Sequence, residues 1–261
     1  MQFKFTIQPY QTDAADAVAS VFAGQPCQAP FEYVRDLGSG RADRTGTVSL
    51  VDQMTDDAGY ANAPVRLSEA ELLDNVRAQQ RRFSVPESSS LAKGPGAAAL
   101  DVEMETGTGK TYVYTKTIFE LNRRFGWSKF VIVVPSVAIR EGVAKSLAVT
   151  EGHFFELYGK RIWSSVYNSS RLNEIDQFAQ RADISVMVIN TQNFNKSMKE
   201  GGTSKDALVM FSERDDFGSR RPIDVLAATR PVIISGPGRR GVGRRERLRP
   251  HLAQQGASAL L

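Results

Sequence analysis

One run of this sequence has residue types and spacing suited to chemistry: Met104-Glu105-Thr106-Gly107-Thr108-Gly109-Lys110-Thr111, between an apolar stretch and an amphipathic one. Such a run holds phosphate when it joins a strand to a helix. Gly107 and Gly109 permit positive φ, so the backbone N–H groups of Thr106, Gly107, Thr108 and Gly109 can turn toward phosphate oxygens. A helix beginning near Lys110 adds its positive N-terminal end. In this arrangement Lys110 reaches the β- and γ-phosphates and the Thr111 hydroxyl ligates Mg²⁺, which makes ATP with Mg²⁺ the expected ligand. The strict pattern GxxxxGK(S/T) asks for glycine at the first position, where this chain has Met104.

The elements around the run should position it. AALDVEM (98–104) reads as a buried strand and Lys110–Phe125 as a helix that Gly126 ends. KFVIVVP (129–135), ISVMVIN (184–190) and RPVIIS (230–235) read as further strands, the last after a short helix around Ile223–Ala228. A helix within Ala138–Leu157 is expected to break or bend near Gly152. Strands alternating with helices imply βαβ units and a parallel sheet. Upstream, residues 3–8 suggest a short strand and Thr12–Phe22 a helix. Residues 24–66 read as an irregular insertion, possible short strands included. Ser68 and Glu71 form a capping box that opens a helix ending before Pro86. Residues 85–97 read as a linker, and 199–219 as an exposed loop. The organisation expected is an N-terminal region (1–97), an α/β nucleotide-binding domain (98–234) and an aberrant or disordered arginine-rich tail (235–261).

Composition narrows the class. With 41% apolar and 24% charged residues the chain lies in the globular range. No stretch reaches the roughly 18 to 20 apolar residues of a membrane span. The start lacks a secretory layout, so a cytoplasmic location is expected. One cysteine, Cys27, and two histidines exclude a disulfide framework and a thiolate or histidine metal cluster within the chain. The net charge of +4 is misleading. Residues 239–261 hold six arginines against Glu246, and the preceding 238 residues sum to −1. The basic balance therefore belongs to the tail and does not define a binding face. Tyr112, Tyr114, Phe119, Phe125 and Trp127 invite a base-stacking reading, but their helical spacing favours core packing.

ETGTGKT with a non-glycine first position resembles motif I of superfamily 2 helicases. The longer run LDVEMETGTGKTYVYTKTIFELNRRFGWSKFVIVVPSVAIREGV resembles the Res subunit of type III restriction endonucleases. The resemblance implies a RecA-like first motor domain in a parallel-sheet P-loop NTPase fold. It also implies ATP-driven movement on double-stranded DNA, a Mod methyltransferase partner and, in the intact protein, endonucleolytic cleavage. Gln11, in IQPYQTDA, resembles the upstream glutamine that reads adenine, although a glutamine in a polar stretch is commonly solvated. Pro135, Ser136 and Arg140 resemble motif Ia, which touches the DNA backbone. Ser136 at a helix start serves equally as an N-cap, and the two roles are compatible. Thr191 and Asn193 resemble the next DNA-facing segment, though such residues after a strand also make ordinary turns.

The resemblance fails at one place. The strand Pro231–Ile234 should run into an Asp-Glu pair that holds Mg²⁺ and orients the attacking water, but Ser235 and Gly236 stand there. Neither supplies a carboxylate. Everything beyond is arginine-rich and without apolar period, as a shifted reading frame would produce. The expectation is an incomplete motor that binds Mg-ATP and barely hydrolyses it. Two alternatives are a type I restriction motor or stand-alone helicase, and a non-catalytic nucleotide- or DNA-binding remnant held by the tail. Gly236–Gly241 also spells GxGxxG, but Pro237 and the lack of a following acidic residue argue against a dinucleotide site.

Overall fold

The structure is a computed structural model that describes residues 5–34, 58–92, 96–190, 205–213, 217, 220–235 and 259–260. Its centre is a parallel sheet of β3 (Lys129–Val134), β4 (Trp163–Val166), β5 (Ser185–Asn190), β6 (Val232–Ser235) and β7 (Ala259–Leu260). The strand order is β4-β5-β3-β6-β7, and every pairing is parallel. All six residues of β3 and all six of β5 are buried. The pleat sends alternate side chains into two separate cores. Phe130, Ile132 and Val134 meet one core, and Val131 and Val133 the other.

The first core is covered by α1 (Pro9–Ser20), α3 (Lys110–Phe125) and α4 (Val137–Tyr158), the second by α5 (Asn173–Gln180), α6 (Lys205–Phe211) and α7 (Pro222–Ala228). Phe119 of α3 stacks on Phe154 of α4 at 5.0 Å between ring centroids. The aromatic residues of α3 thus pack inside the protein, as their spacing predicts. A two-stranded antiparallel pair, β1 (Phe31–Val34) and β2 (Ala58–Ala61), and α2 (Glu69–Arg82) complete the described elements. The capping box forms as expected, Glu71 N–H bonding Ser68 Oγ and Ser68 N–H bonding Glu71 Oε2. Arg82 of α2 pairs with Asp13 and Asp16 of α1, and Arg124 of α3 pairs with Asp16 at 2.5 Å. The Arg124 hydrogen bond, more than any other partner, holds the Asp16 carboxyl below its ordinary pKa.

Several expectations need correction. Residues 98–104 form no strand; their region contributes only an isolated bridge, Ala92 with Ala99. Asp101 and Glu103 alternate with Leu100 and Val102, and helices cover both faces of the parallel sheet. Such a sheet has no half-exposed slot for two carboxylates. Residues 5–8 also stay irregular. The helix at 137–158 continues through Gly152, because one helical glycine costs about 1 kcal/mol and buried Leu147 and Phe154 on either side hold it to the core. The presumed linker after α2 folds back on that helix, with Arg77 donating to Ser88 O and Ser88 N–H to Gln80. Within 199–219 the described residues include α6 and the buried Met210 and Phe217, where an exposed loop was expected; Gly201, Gly202, Asp215 and Asp216 lie outside the described residues. The end of the tail is a short strand on β6, at Ala259–Leu260. The sequence signals passed over β4 and α5 altogether.

Two buried polar residues join the strands at their N-terminal ends. Asn62, fully buried, donates to Lys129 O and Arg230 O and accepts from Ser128 N–H and Lys129 N–H. It thereby ties β3 to the entry of β6. Lys129 is also fully buried, and its ammonium donates to the carbonyls of Phe178 and Arg181 at the C-terminal end of α5. Burial, reinforced by the Arg181 charge, lowers its pKa to about 7. The unfolded value is about 10.4, so between those values the unfolded chain binds more protons and stability rises with pH. Equilibrium unfolding from pH 7 to 9 should show a gain approaching about 1 kcal/mol per pH unit that Lys129→Met removes. An equal slope in both proteins would count against this assignment.

Candidate nucleotide site

Glycines shape the loop at both ends. Gly107 and Gly109 have φ of +86° and +84°, and Gly109 is the N-cap of α3 without any side-chain cap. Those first N–H groups of α3 are therefore offered to a ligand. Thr108 Oγ1 donates to Glu105 O at 2.7 Å and closes the turn. A Cβ built on Gly107 meets nothing within 4 Å, whereas one on Gly109 would lie 2.5 Å from Gln11 Nε2. The loop is thus open above Gly107 and pressed against α1 at Gly109. Thr106 is exposed, and Lys110 and Thr111 are half-buried.

Gln11, singled out in the upstream segment, lies against the loop. Gln11 is 9% exposed, not solvated, and its Nε2 donates to Thr108 O at 3.0 Å. Tyr10 OH donates to the same carbonyl at 3.2 Å. Lys116, one and a half turns beyond the loop, donates to Thr12 Oγ1 at 2.7 Å, and burial lowers its pKa. Three consecutive residues of α1 therefore hold the loop and its helix. Tyr10 and Lys116 were not singled out from the sequence; Tyr10 lies beside Gln11, but nothing local marked its bond to residue 108.

The loop sits at the C-terminal end of the strands, because α3 runs back from it to the start of β3 through Gly126. Gly126 is irreplaceable there: its φ is +77° and a Cβ would lie 1.8 Å from Gln28 O. At the same sheet end β3 leads into Pro135 and Ser136, and Val134 pairs with Asn190, the last residue of β5. Ser136 caps α4, accepting from Ile139 N–H at 3.3 Å. Arg140 is paired with Glu141 at 2.9 Å, so its guanidinium must leave that partner to reach a phosphate. Ser235 pairs with Val133 at the end of β6 and is exposed. Thr191, Asn193 and Gly236 lie outside the described residues. A cleft of about 830 Å³ opens at the opposite sheet end, lined in part by Arg123, Lys160, Arg161 and Arg181. These cations follow or end α3, α4 and α5, where they offset the helix dipoles. Arg161 also pairs with Glu151 at 2.6 Å.

A phosphate loop at the strand ends of a parallel sheet has many possible owners. A family model described as "Type III restriction enzyme, res subunit" matches residues 4–214. The chain belongs to this Res-subunit family. The Res subunit of the type III restriction-modification enzyme EcoP15I of Escherichia coli is 30% identical over 203 residues, covering 72% of this chain and 20% of that protein. That of EcoPI from Escherichia phage P1 is 32% identical over 191 residues, covering 66% and 19%. That of StyLTI from Salmonella typhimurium strain LT2 is 35% identical over 161 residues, covering 52% and 15%. The chain thus spans a fifth or less of these relatives' lengths. Family and sheet together give a RecA-like P-loop fold with a helicase-like motor portion, and they favour a Res subunit over a type I restriction motor. Among the described residues no helix is long and apolar enough to cross a membrane, and no cluster of three or more metal-binding side chains occurs.

Proposed function

We propose that this chain is the nucleotide-binding part of a Res-subunit motor that binds Mg-ATP between α1 and the 104–111 loop. The observation that carries the reading is the pair of hydrogen bonds from Gln11 and Tyr10 to Thr108 O, which sets an adenine-reading amide against a phosphate loop. The loop suits the ligand, with positive-φ glycines, uncapped N–H groups and open space over Gly107. Lys110 bonds the terminal phosphates, and the Thr111 hydroxyl supplies an oxygen to Mg²⁺. When bound, the metal neutralises phosphate charge. Thr106, Gly107, Thr108 and Gly109 orient the phosphates through backbone N–H groups. Gln11 keeps its Oε1 for the adenine N6 amine.

Pro135, Ser136, Arg140, Thr191 and Asn193 form the face for double-stranded DNA in this reading, at the sheet end that open α/β folds use for ligands. The intact relative would couple ATP hydrolysis to movement on DNA and cleavage, beside a Mod methyltransferase subunit. In this chain Ser235 stands where the Mg-holding carboxylate belongs and offers only a hydroxyl, so turnover is slow. Equilibrium binding of a fluorescent ATP analogue with Mg²⁺, followed by a DNA-stimulated turnover assay, tests both halves. Saturable binding with turnover near background supports the proposal. Absence of binding, or robust DNA-stimulated hydrolysis, overturns it.

A further inference from the structure

One buried hydroxyl on the helix that follows the loop has no well-aligned hydrogen bond among the described residues. Tyr114 lies one turn beyond Thr111 on α3, with its ring packed against the first core. Its hydroxyl is buried and meets no well-aligned hydrogen-bond partner among the described residues, and the Thr111 side chain is the polar group close enough to act on it. Phenylalanine would fill the same space without burying a polar atom, so the hydroxyl carries a desolvation cost that packing does not explain. Residues three apart share a helix face, and aromatic side chains on a helix lean toward its N-terminus. The phenol is thus directed at the Thr111 end of α3. Burial raises the Tyr114 pKa, and the nearby Thr111 hydroxyl acts against that rise.

We infer that Tyr114 is a positioning residue whose phenolic oxygen accepts the Thr111 hydroxyl hydrogen when Thr111 Oγ1 ligates a divalent cation. This rests on the Mg-nucleotide reading above and adds a residue to it. Metal ligation uses a lone pair of Thr111 Oγ1 and makes its O–H a stronger donor. An acceptor at Tyr114 fixes the Thr111 rotamer that faces the metal. Thr111 O is already engaged by Thr115 Oγ1 at 2.7 Å, which anchors the backbone about which that rotamer turns.

Binding of fluorescent ATP, measured with Mg²⁺ and again in EDTA, tests the inference. Tyr114→Phe should reduce the Mg²⁺-dependent gain in affinity about tenfold and leave the EDTA affinity unchanged. In a Thr111→Val background the same substitution should have no further effect, since the hydroxyl it serves is gone. An unchanged Mg²⁺ gain in Tyr114→Phe overturns the inference, and so does an equal loss in the Thr111→Val background. If the unsubstituted chain binds no nucleotide under either condition, the nucleotide reading itself falls and this inference falls with it.

Discussion

Replacing Asn62 with alanine should lower the unfolding free energy by about 3–5 kcal/mol, read from urea denaturation followed by circular dichroism. Four hydrogen bonds disappear, two given to Lys129 O and Arg230 O and two received from Ser128 N–H and Lys129 N–H. The site is fully buried, so the stranded N–H groups each cost about 1–3 kcal/mol unless water enters. Asn62→Asp should rescue little: a carboxylate accepts both N–H groups but cannot donate to the carbonyls, and its charge would be buried. A loss under about 1 kcal/mol in the alanine variant would mean that water replaces the amide, and that Asn62 does not hold β3 to β6.

Lys110→Ala should weaken Mg-ATP binding by a factor of about 30–200, equivalent to roughly 2–3 kcal/mol for charge-assisted bonds to phosphate. Lys110 is the first residue of α3 and half-buried, so truncating it leaves the helix and its packed face intact. Unfolding midpoints of the two proteins should therefore agree while their dissociation constants diverge. Lys110→Arg should not restore affinity, since the planar guanidinium does not fit the space of a compact ammonium. Dissociation constants within threefold of each other would exclude Lys110 as a phosphate ligand.

The sequence was most informative where one local rule governs one element. The Ser68–Glu71 box, the buried run of β3 and the glycine that ends α3 at 126 all appear as read. It was least informative where distant chain decides. LDVEM alternates like a strand, yet whether it joins the sheet depends on what covers that sheet. Trp163–Val166 is a short edge strand of mixed polarity, and only its pairing with β5 defines it. Gly152 is a helix breaker by propensity that aromatic packing overrides. Of the proposed site, the positive-φ turns at Gly107 and Gly109 and the start of α3 at Lys110 were legible because a phosphate loop is a local object. Gln11 was found through the family resemblance, and its burial against Thr108 was not. Tyr10 and Lys116 matter through tertiary neighbours, which no spacing rule encodes.

The Gln11–Thr108 bond also constrains the order of events during synthesis. Its two ends lie 97 positions apart, an interval of about 5–20 s at ordinary elongation rates. Through that time α1 has left the ribosome with Ala15, Val18 and Ala19 uncovered, because α3 does not yet exist. The phosphate loop in turn cannot settle until a helix made long before returns to it, a non-local closure of the kind that slows folding. Chaperone capture of nascent chains should therefore concentrate on α1 and end once residue 125 has emerged.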